Sequence, residues 1–279
     1  MKKLVLFSFL TCYLATNSFA QRYEYGEPVP IKESKKHKGS GGGSATVGKA
    51  RFGVFLAPNF SWMKPTANKS DDKQYLVTAD GSKTGFMWGL MMDYFFADNY
   101  AIATGFQINY TGGKITSTIN PAMPVPSTPN VVQSASLDYK IQYLEVPFGL
   151  KLRSDDMNGV RVFGQIGINL GVPLSKKASY SVTYTDTTGG GTPKVLSVNG
   201  ENEKLRGLGI SPVLLQMNLG GGLEYGITDK MSIYAGVFYN NGFIPDVTNP
   251  KDLDLGFKGN FSDGNIRLNN IAIRIGMFF

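Results

Sequence analysis

The chain has 279 residues, a formal charge of +7, a single cysteine (Cys12) and a single histidine (His37). The lone cysteine excludes intramolecular disulfides and thiolate metal clusters, and the lone histidine, placed in a polar linker outside the strands, leaves no imidazole zinc site or Ser-His-Asp triad. No apolar run reaches the roughly 18 residues of a membrane helix. That says nothing against a barrel, whose strands each carry a weak signal.

The N-terminus reads as a secretory signal over residues 1–20. Lys2 and Lys3 form its basic part, residues 4–15 its short apolar part, and Ser18-Phe19-Ala20 its cleavage site. Cys12 lies inside the apolar part with Thr11 before it, which does not suit an acylated cysteine. Cleavage removes two of the positive charges. Much of the remainder sits between Lys32 and Lys38, in a Pro-, Lys- and Gly/Ser-rich stretch over residues 21–49. That composition is a flexible linker, expected to lie in the periplasm. A solvated basic tail is no argument for nucleic acid. The string from Gly39 to Ser44 lacks the Lys-Ser/Thr and helix of a phosphate loop.

Residues 50–279 then alternate with a period of two, the mark of strands with one apolar face. The first strand is read at residues 51–62, with Phe52, Val54, Leu56, Phe60 and Trp62 against Arg51, Gly53, Ala57 and Asn59. The second spans 85–96, with Trp88, Leu90 and Tyr94 opposite Gly89 and Asp93. The third spans 100–110. The fourth runs from about 137 to 153, where Leu144, Val146, Phe148, Leu150 and Leu152 oppose Glu145, Gly149, Lys151 and Arg153. Upstream, Tyr139, Ile141 and Tyr143 are apolar at the other parity, which predicts a β-bulge near Tyr143-Leu144. The fifth strand spans 160–174, with Ile166 and Ile168 against Gln165 and Asn169. The sixth, seventh and eighth span 213–228, 231–240 and 266–279.

Connections alternate between short turns (97–99, 154–159, 228–230) and long segments (64–83, 111–136, 175–212, 241–265). The face opposite the apolar one is rich in Gly, Ala, Asn and Gln rather than Lys and Glu, unlike a soluble sandwich. Aromatics gather near strand ends, and the chain stops on Phe279 at the end of an apolar strand. The expected fold is all-β: an eight-stranded antiparallel transmembrane β-barrel with short periplasmic turns and long extracellular loops. Such a terminal strand is what the barrel assembly machinery reads. The remaining partners expected are outer-membrane lipid and a secretion-system or surface partner.

Tyr143, Leu144, Glu145, Pro147, Leu150 and Lys151 resemble the YLE-P-L-K segment of the PorT-like outer-membrane barrels of Bacteroidetes. Residues 218–227, NLGGGLEYGI, and the closing IAIRIGMFF extend the resemblance over residues 51–279. It implies a place in the outer membrane of a Gram-negative bacterium and a supporting role in type IX protein secretion. Asp186-Thr187-Thr188 resembles the O-glycosylation signal of that phylum.

No catalytic, cofactor or metal site is expected. His37 lies in the linker, and Asp252 and Asp254 lack the other ligands of a calcium loop. The expected function is a non-enzymatic structural or accessory protein. The alternatives are a narrow pore and a ligand-binding surface protein. Eight strands leave an interior only wide enough for side chains, which disfavours a diffusion channel. Asp93, Lys151, Arg161, Glu224 and Arg274 all fall on the lumen parity near the periplasmic ends of their strands. They are expected to form one layer of ion pairs, with Glu224 and Arg274 as a coupled pair and Glu145 of undecided facing.

Overall fold

A computed structural model describes residues 49–66, 73–124, 130–187, 192–204, 210–246 and 265–279. The signal sequence, most of the linker, His37, the Asp252-Asp254 pair and Thr188 lie outside the described residues.

Ten strands occur among the described residues: β1 (Ala50–Pro65), β2 (Tyr75–Ala79), β3 (Ser82–Ala97), β4 (Tyr100–Ile119), β5 (Asn130–Arg153), β6 (Val160–Asp186), β7 (Lys194–Lys204), β8 (Leu214–Gly226), β9 (Ser232–Gly242) and β10 (Ile266–Phe278). Eight of them close an antiparallel ring in the order β4, β3, β1, β10, β9, β8, β6, β5 and back to β4. Closure pairs every backbone edge, which is what lipid demands of a spanning sheet.

β2 and β7 stand outside the ring and lengthen it. β4 pairs with β3 up to Tyr110 and then with β2 over Ile115 to Ile119. β6 pairs with β8 from Val160 to Gly171 and with β7 from Lys177 to Asp186. Gly81, with φ of +99°, makes the turn between β2 and β3 in a conformation that side chains resist. Two of the segments expected to be long loops, 111–136 and 175–212, are therefore largely strand among the described residues. Residues 111–119, 130–136, 175–186 and 194–204 continue the ladder beyond the lipid zone. Their Ser/Thr/Lys content reads as loop because this part of the sheet meets water rather than acyl chains.

The expected bulge is displaced. On β5, Tyr139, Ile141, Tyr143, Glu145, Lys151 and Arg153 all point inward and are buried. Its facing holds unbroken from Ala135 to Arg153. The pairing jumps from Gln142↔Ser175 to Tyr143↔Pro173, so the extra residue is Leu174 on β6. β6 accordingly buries Gln165 and Asn169 below the bulge, and Ala178 and Val182 above it. What looked like a change of parity on β5 is a change of lumen chemistry, from charged to apolar, at constant parity.

The outer surface carries an exposed apolar belt formed by side chains such as Leu56, Leu90, Phe106, Ile166 and Ile275. Aromatic pairs mark its margins. Trp62 stacks on Tyr239 at 6.3 Å on the long-strand side, and Phe96 meets Tyr100 at 6.2 Å on the short-turn side. Inside, the lumen is packed. Near the short turns Phe55, Phe163, Tyr234, Phe238 and Phe278 fill it. Toward the long-strand end an apolar cluster contains Met63, Ile115, Leu137, Tyr139, Ile141 and Tyr143. Gly220 makes room for this filling, since a Cβ there would lie 2.2 Å from the Phe238 ring.

Ile168 faces the belt, whereas Gln165 is buried and donates through Nε2 to Asn218 Oδ1 at 3.2 Å. Arg on the lipid face near the midplane costs roughly 2–4 kcal/mol. Ile168→Arg should therefore sharply reduce the folded fraction recovered in vesicles, while Gln165→Asn leaves it nearly unchanged. Equal yields, scored by heat-dependent gel mobility, would contradict this facing.

Candidate functional site

The interior charges gather in a layer above the short turns. Arg51 enters from β1, Asp93 from β3, Lys151 and Arg153 from β5, and Glu224 from β8. β3 and β8 lie four places apart in the ring of eight, so Asp93 and Glu224 project from opposite walls. Arg51 Nη2 reaches both, donating to Asp93 Oδ2 at 2.7 Å and to Glu224 Oε1 at 2.6 Å. Lys151 Nζ bridges them from a third side, 2.9 Å from Asp93 Oδ2 and 2.5 Å from Glu224 Oε1. Arg153 Nη1 lies 3.4 Å from Glu224 Oε2. The side chains of Asp93, Lys151, Arg153 and Glu224 are each only 3% exposed.

Three cations here surround two carboxylates. Aromatic faces meet the excess positive charge. Arg51 lies 3.8 Å from the centre of Phe278, Arg153 4.4 Å from Phe95, and Lys151 4.5 Å from Phe163. A ring face attracts a cation most strongly where water is excluded. The layer crosses the lumen from wall to wall.

Of the residues expected in this layer, Asp93, Lys151 and Glu224 meet there. Arg161 does not join them. It lies at the rim, 3.3 Å from Asp156 in the neighbouring turn, and lines a cavity of about 290 Å³ that ends on Arg51, Arg153 and Glu224. Arg274 lies higher. Its Nη2 donates to Gln107 Oε1 at 3.2 Å, and its guanidinium packs 4.2 Å from the Phe238 ring. The expected Glu224–Arg274 pair is absent. Counting residues from strand ends misplaces heights in a barrel, because the register is sheared around the ring. Arg51 and Arg153 are the missed members. Both share the lumen parity in the sequence, and Arg51 was legible as a charge on that face.

A second layer lies above the first. Glu145 is fully buried and accepts from Gln107 Nε2 at 2.5 Å and from Asn109 Nδ2 at 2.7 Å. Asn59 Nδ2 donates to Asn109 Oδ1 at 3.0 Å. On the far wall Asn218 and Asn169 both donate to Asn240 Oδ1, and Asn240 donates to Asn270. Above these amides, beyond β9, the segment around Asp246 is tied to β10. Leu268 N donates to Asp246 Oδ2 at 2.6 Å, and Asp246 N donates to Ile266 O at 2.9 Å. Burial pushes the Asp246 carboxyl up to about 7, against the Leu268 donation, and the charge on Glu145 adds to the rise.

No group of three or more His, Cys, Asp or Glu side chains able to hold a metal occurs among the described residues.

A family model for the outer membrane protein beta-barrel domain matches residues 19–245. The chain belongs to that family. Membership puts this outer membrane protein beta-barrel in the outer membrane, with its apolar belt against lipid. Among solved structures, the attachment invasion locus protein Ail of Yersinia pestis is 14% identical, covering 84% of this chain and 100% of its own, with a TM-score of 0.35. Neisserial surface protein A is 15% identical, covering 83% and 99%, with a TM-score of 0.37. OprG of Pseudomonas aeruginosa is 12% identical, covering 83% and 97%, also with a TM-score of 0.37. No curated protein sequence matches the chain.

Two predictions follow from this geometry. Glu224→Gln in the outer membrane protein beta-barrel leaves three cations around one carboxylate and should cost about 3–5 kcal/mol in urea unfolding from micelles. Adding Lys151→Met should recover part of that loss. Adding Arg274→Met should be additive to within about 0.5 kcal/mol. Coupling to Arg274 rather than Lys151 would refute the pairing.

The second prediction concerns pH. A carboxyl with a raised folded pKa binds its proton more tightly in the folded state than in the unfolded one. Its contribution is therefore greatest at low pH and lost as pH climbs from about 4 toward about 7. Asp246→Asn should flatten that slope in unfolding curves taken between these limits. An unchanged slope would place the titration elsewhere.

Proposed function

We propose that this chain is a non-enzymatic structural or accessory protein of the outer membrane, with a lumen closed to solutes. The observation that carries this is the wall-to-wall layer of Arg51, Asp93, Lys151, Arg153 and Glu224. The apolar and amide layers above it support the same reading. A permanently filled barrel acts through its ends and its lipid surface rather than by conduction. The resemblance of residues 51–279 to the PorT-like barrels adds a role in supporting protein secretion. The partners in this reading are outer-membrane lipid, the barrel assembly machinery at β10, and a secretion or surface partner.

The short turns face the periplasm in this reading, and the extended β4–β7 wall faces outward. Supporting this, the short turns carry Asp98, Asp155, Asp156 and Asp229 against the single cation Lys230, while lysines border the other margin of the belt. A cysteine placed at Ser197 on β7 should react with an impermeant maleimide on intact cells. Reaction only after permeabilisation would reverse the orientation.

The closed lumen is tested by reconstitution in planar bilayers. The full chain should give no sustained single-channel steps at neutral pH. Stable conductance in the wild type would favour the narrow-pore alternative. Comparing the secreted proteins of a deletion strain with those of its parent tests the secretion role.

A further inference from the structure

The outer surface changes character where the belt ends on the long-strand side. On β5 the outward residues run Leu150, Phe148, Val146 and Leu144, then Gln142 and Lys140. On β6, Leu174 is followed by Ser175 and Lys177. Lys140 and Lys177 are direct cross-strand partners, and Lys177 in turn lies opposite Lys204 on β7. Three lysines thus stand in one row of cross-strand partners over three strands. Like charges placed directly opposite destabilise a sheet unless an anion comes between them. The hydrogen-bond partner of Lys140 is a neutral one, Asn202 Oδ1.

A fourth lysine reaches the same place by an unusual route. Lys83 sits on the lumen parity of β3, yet its Nζ pairs with Asp138 and donates to Tyr139 O at 3.2 Å on β5. It passes over Gly112, where a Cβ would lie 3.3 Å from Lys83 Cδ. This crossing lies in the gap on β4 between its pairing with β3 and its pairing with β2. The result is a groove lined by Lys83, Lys140, Lys177, Tyr110, Gln142 and Ser175. Its floor is basic, and its lower edge is the rim of the apolar belt.

We propose that this groove binds the phosphate headgroup of an outer-leaflet glycolipid, with the acyl chains lying down the belt beside Tyr110 and Leu144. The proposal rests on the orientation given above. Ammonium groups and phosphate form charge-assisted hydrogen bonds, which neutralise the lysine row. A free phosphate would satisfy the charges but leave the adjoining apolar surface unused. A lipid satisfies both, and the lysine stems cover its upper chain while their heads stay polar. The same ordering recurs across the barrel, where Lys64 and Arg267 are direct partners just beyond Trp62.

The test uses the full chain in micelles and three probes: bisphosphorylated lipid A, the same lipid dephosphorylated, and inorganic phosphate. Native mass spectrometry reads retention, and titration reads affinity. The wild type should retain the bisphosphorylated lipid. Lys140→Gln with Lys177→Gln should bind it about tenfold more weakly, each tenfold corresponding to 1.4 kcal/mol. Lys194→Gln, on β7 away from the groove, should bind as the wild type does. Equal affinity of the double variant, or equal retention of the dephosphorylated lipid, overturns the site. Binding of inorganic phosphate as tight as that of the lipid overturns the lipid assignment. Because micelles carry no sidedness, these results are independent of orientation. Maleimide labelling at Ser197→Cys only in permeabilised cells would overturn the outer-leaflet assignment while leaving the micelle result intact.

Discussion

The interior of this barrel depends on two carboxylates that face each other across a narrow lumen. Asp93 and Glu224 come from opposite walls, and neither could lose water alone without a severe desolvation cost. Arg51 and Lys151 each bridge both acids, which ties β1, β3, β5 and β8 to one another through the middle of the ring. In a barrel of eight strands the distance across the lumen is about the reach of two long side chains. A wider barrel would have to admit water to the same charges.

The layers above follow from the same geometry. Away from the ionic layer the lumen still has to be filled. The chain does this first with aromatic rings set against glycines such as Gly220, and with amides such as Asn240 that accept from two neighbours. Beyond the belt it uses Leu137, Tyr139 and Ile141, so the extended wall encloses an apolar core of its own. That core lets β4, β5 and β6 continue past the membrane as ordered sheet. It is also why the lysine row stands at a fixed height above the lipid. A row of charges on mobile loops could not be held opposite one another in register.

The two faces of the barrel thus have separate tasks. The inner face closes the molecule and fixes its strands. The outer face sorts surfaces by depth: aromatic pairs at both margins, apolar chains between, and a cross-strand row of lysines above the long-strand margin.

The strands of the spanning region were legible in the sequence because a period of two is enforced twice, by lipid outside and by a filled lumen inside. Ile166 and Gln165 could hardly exchange places. The short turns and the barrel class were legible for the same reason, and so was the presence of lumen charges, because Asp93, Lys151 and Glu224 stand out among Gly, Asn and Gln. The strands beyond the membrane were not legible. On β6, Tyr180, Val182 and Tyr184 alternate with Ser179, Ser181 and Thr183, but with water outside the outer face is Ser/Thr rather than apolar, so the composition reads as loop. Nor could the sequence say which charges meet. Parity gives direction but not height, and height depends on the shear of the closed ring and on Leu174, the extra residue that resets β6. Closure alone put Arg51 beside Glu224, left Arg274 with Gln107, sent Arg161 to Asp156 at the rim, and brought Lys83 over Gly112 to the lysines of β5 and β6.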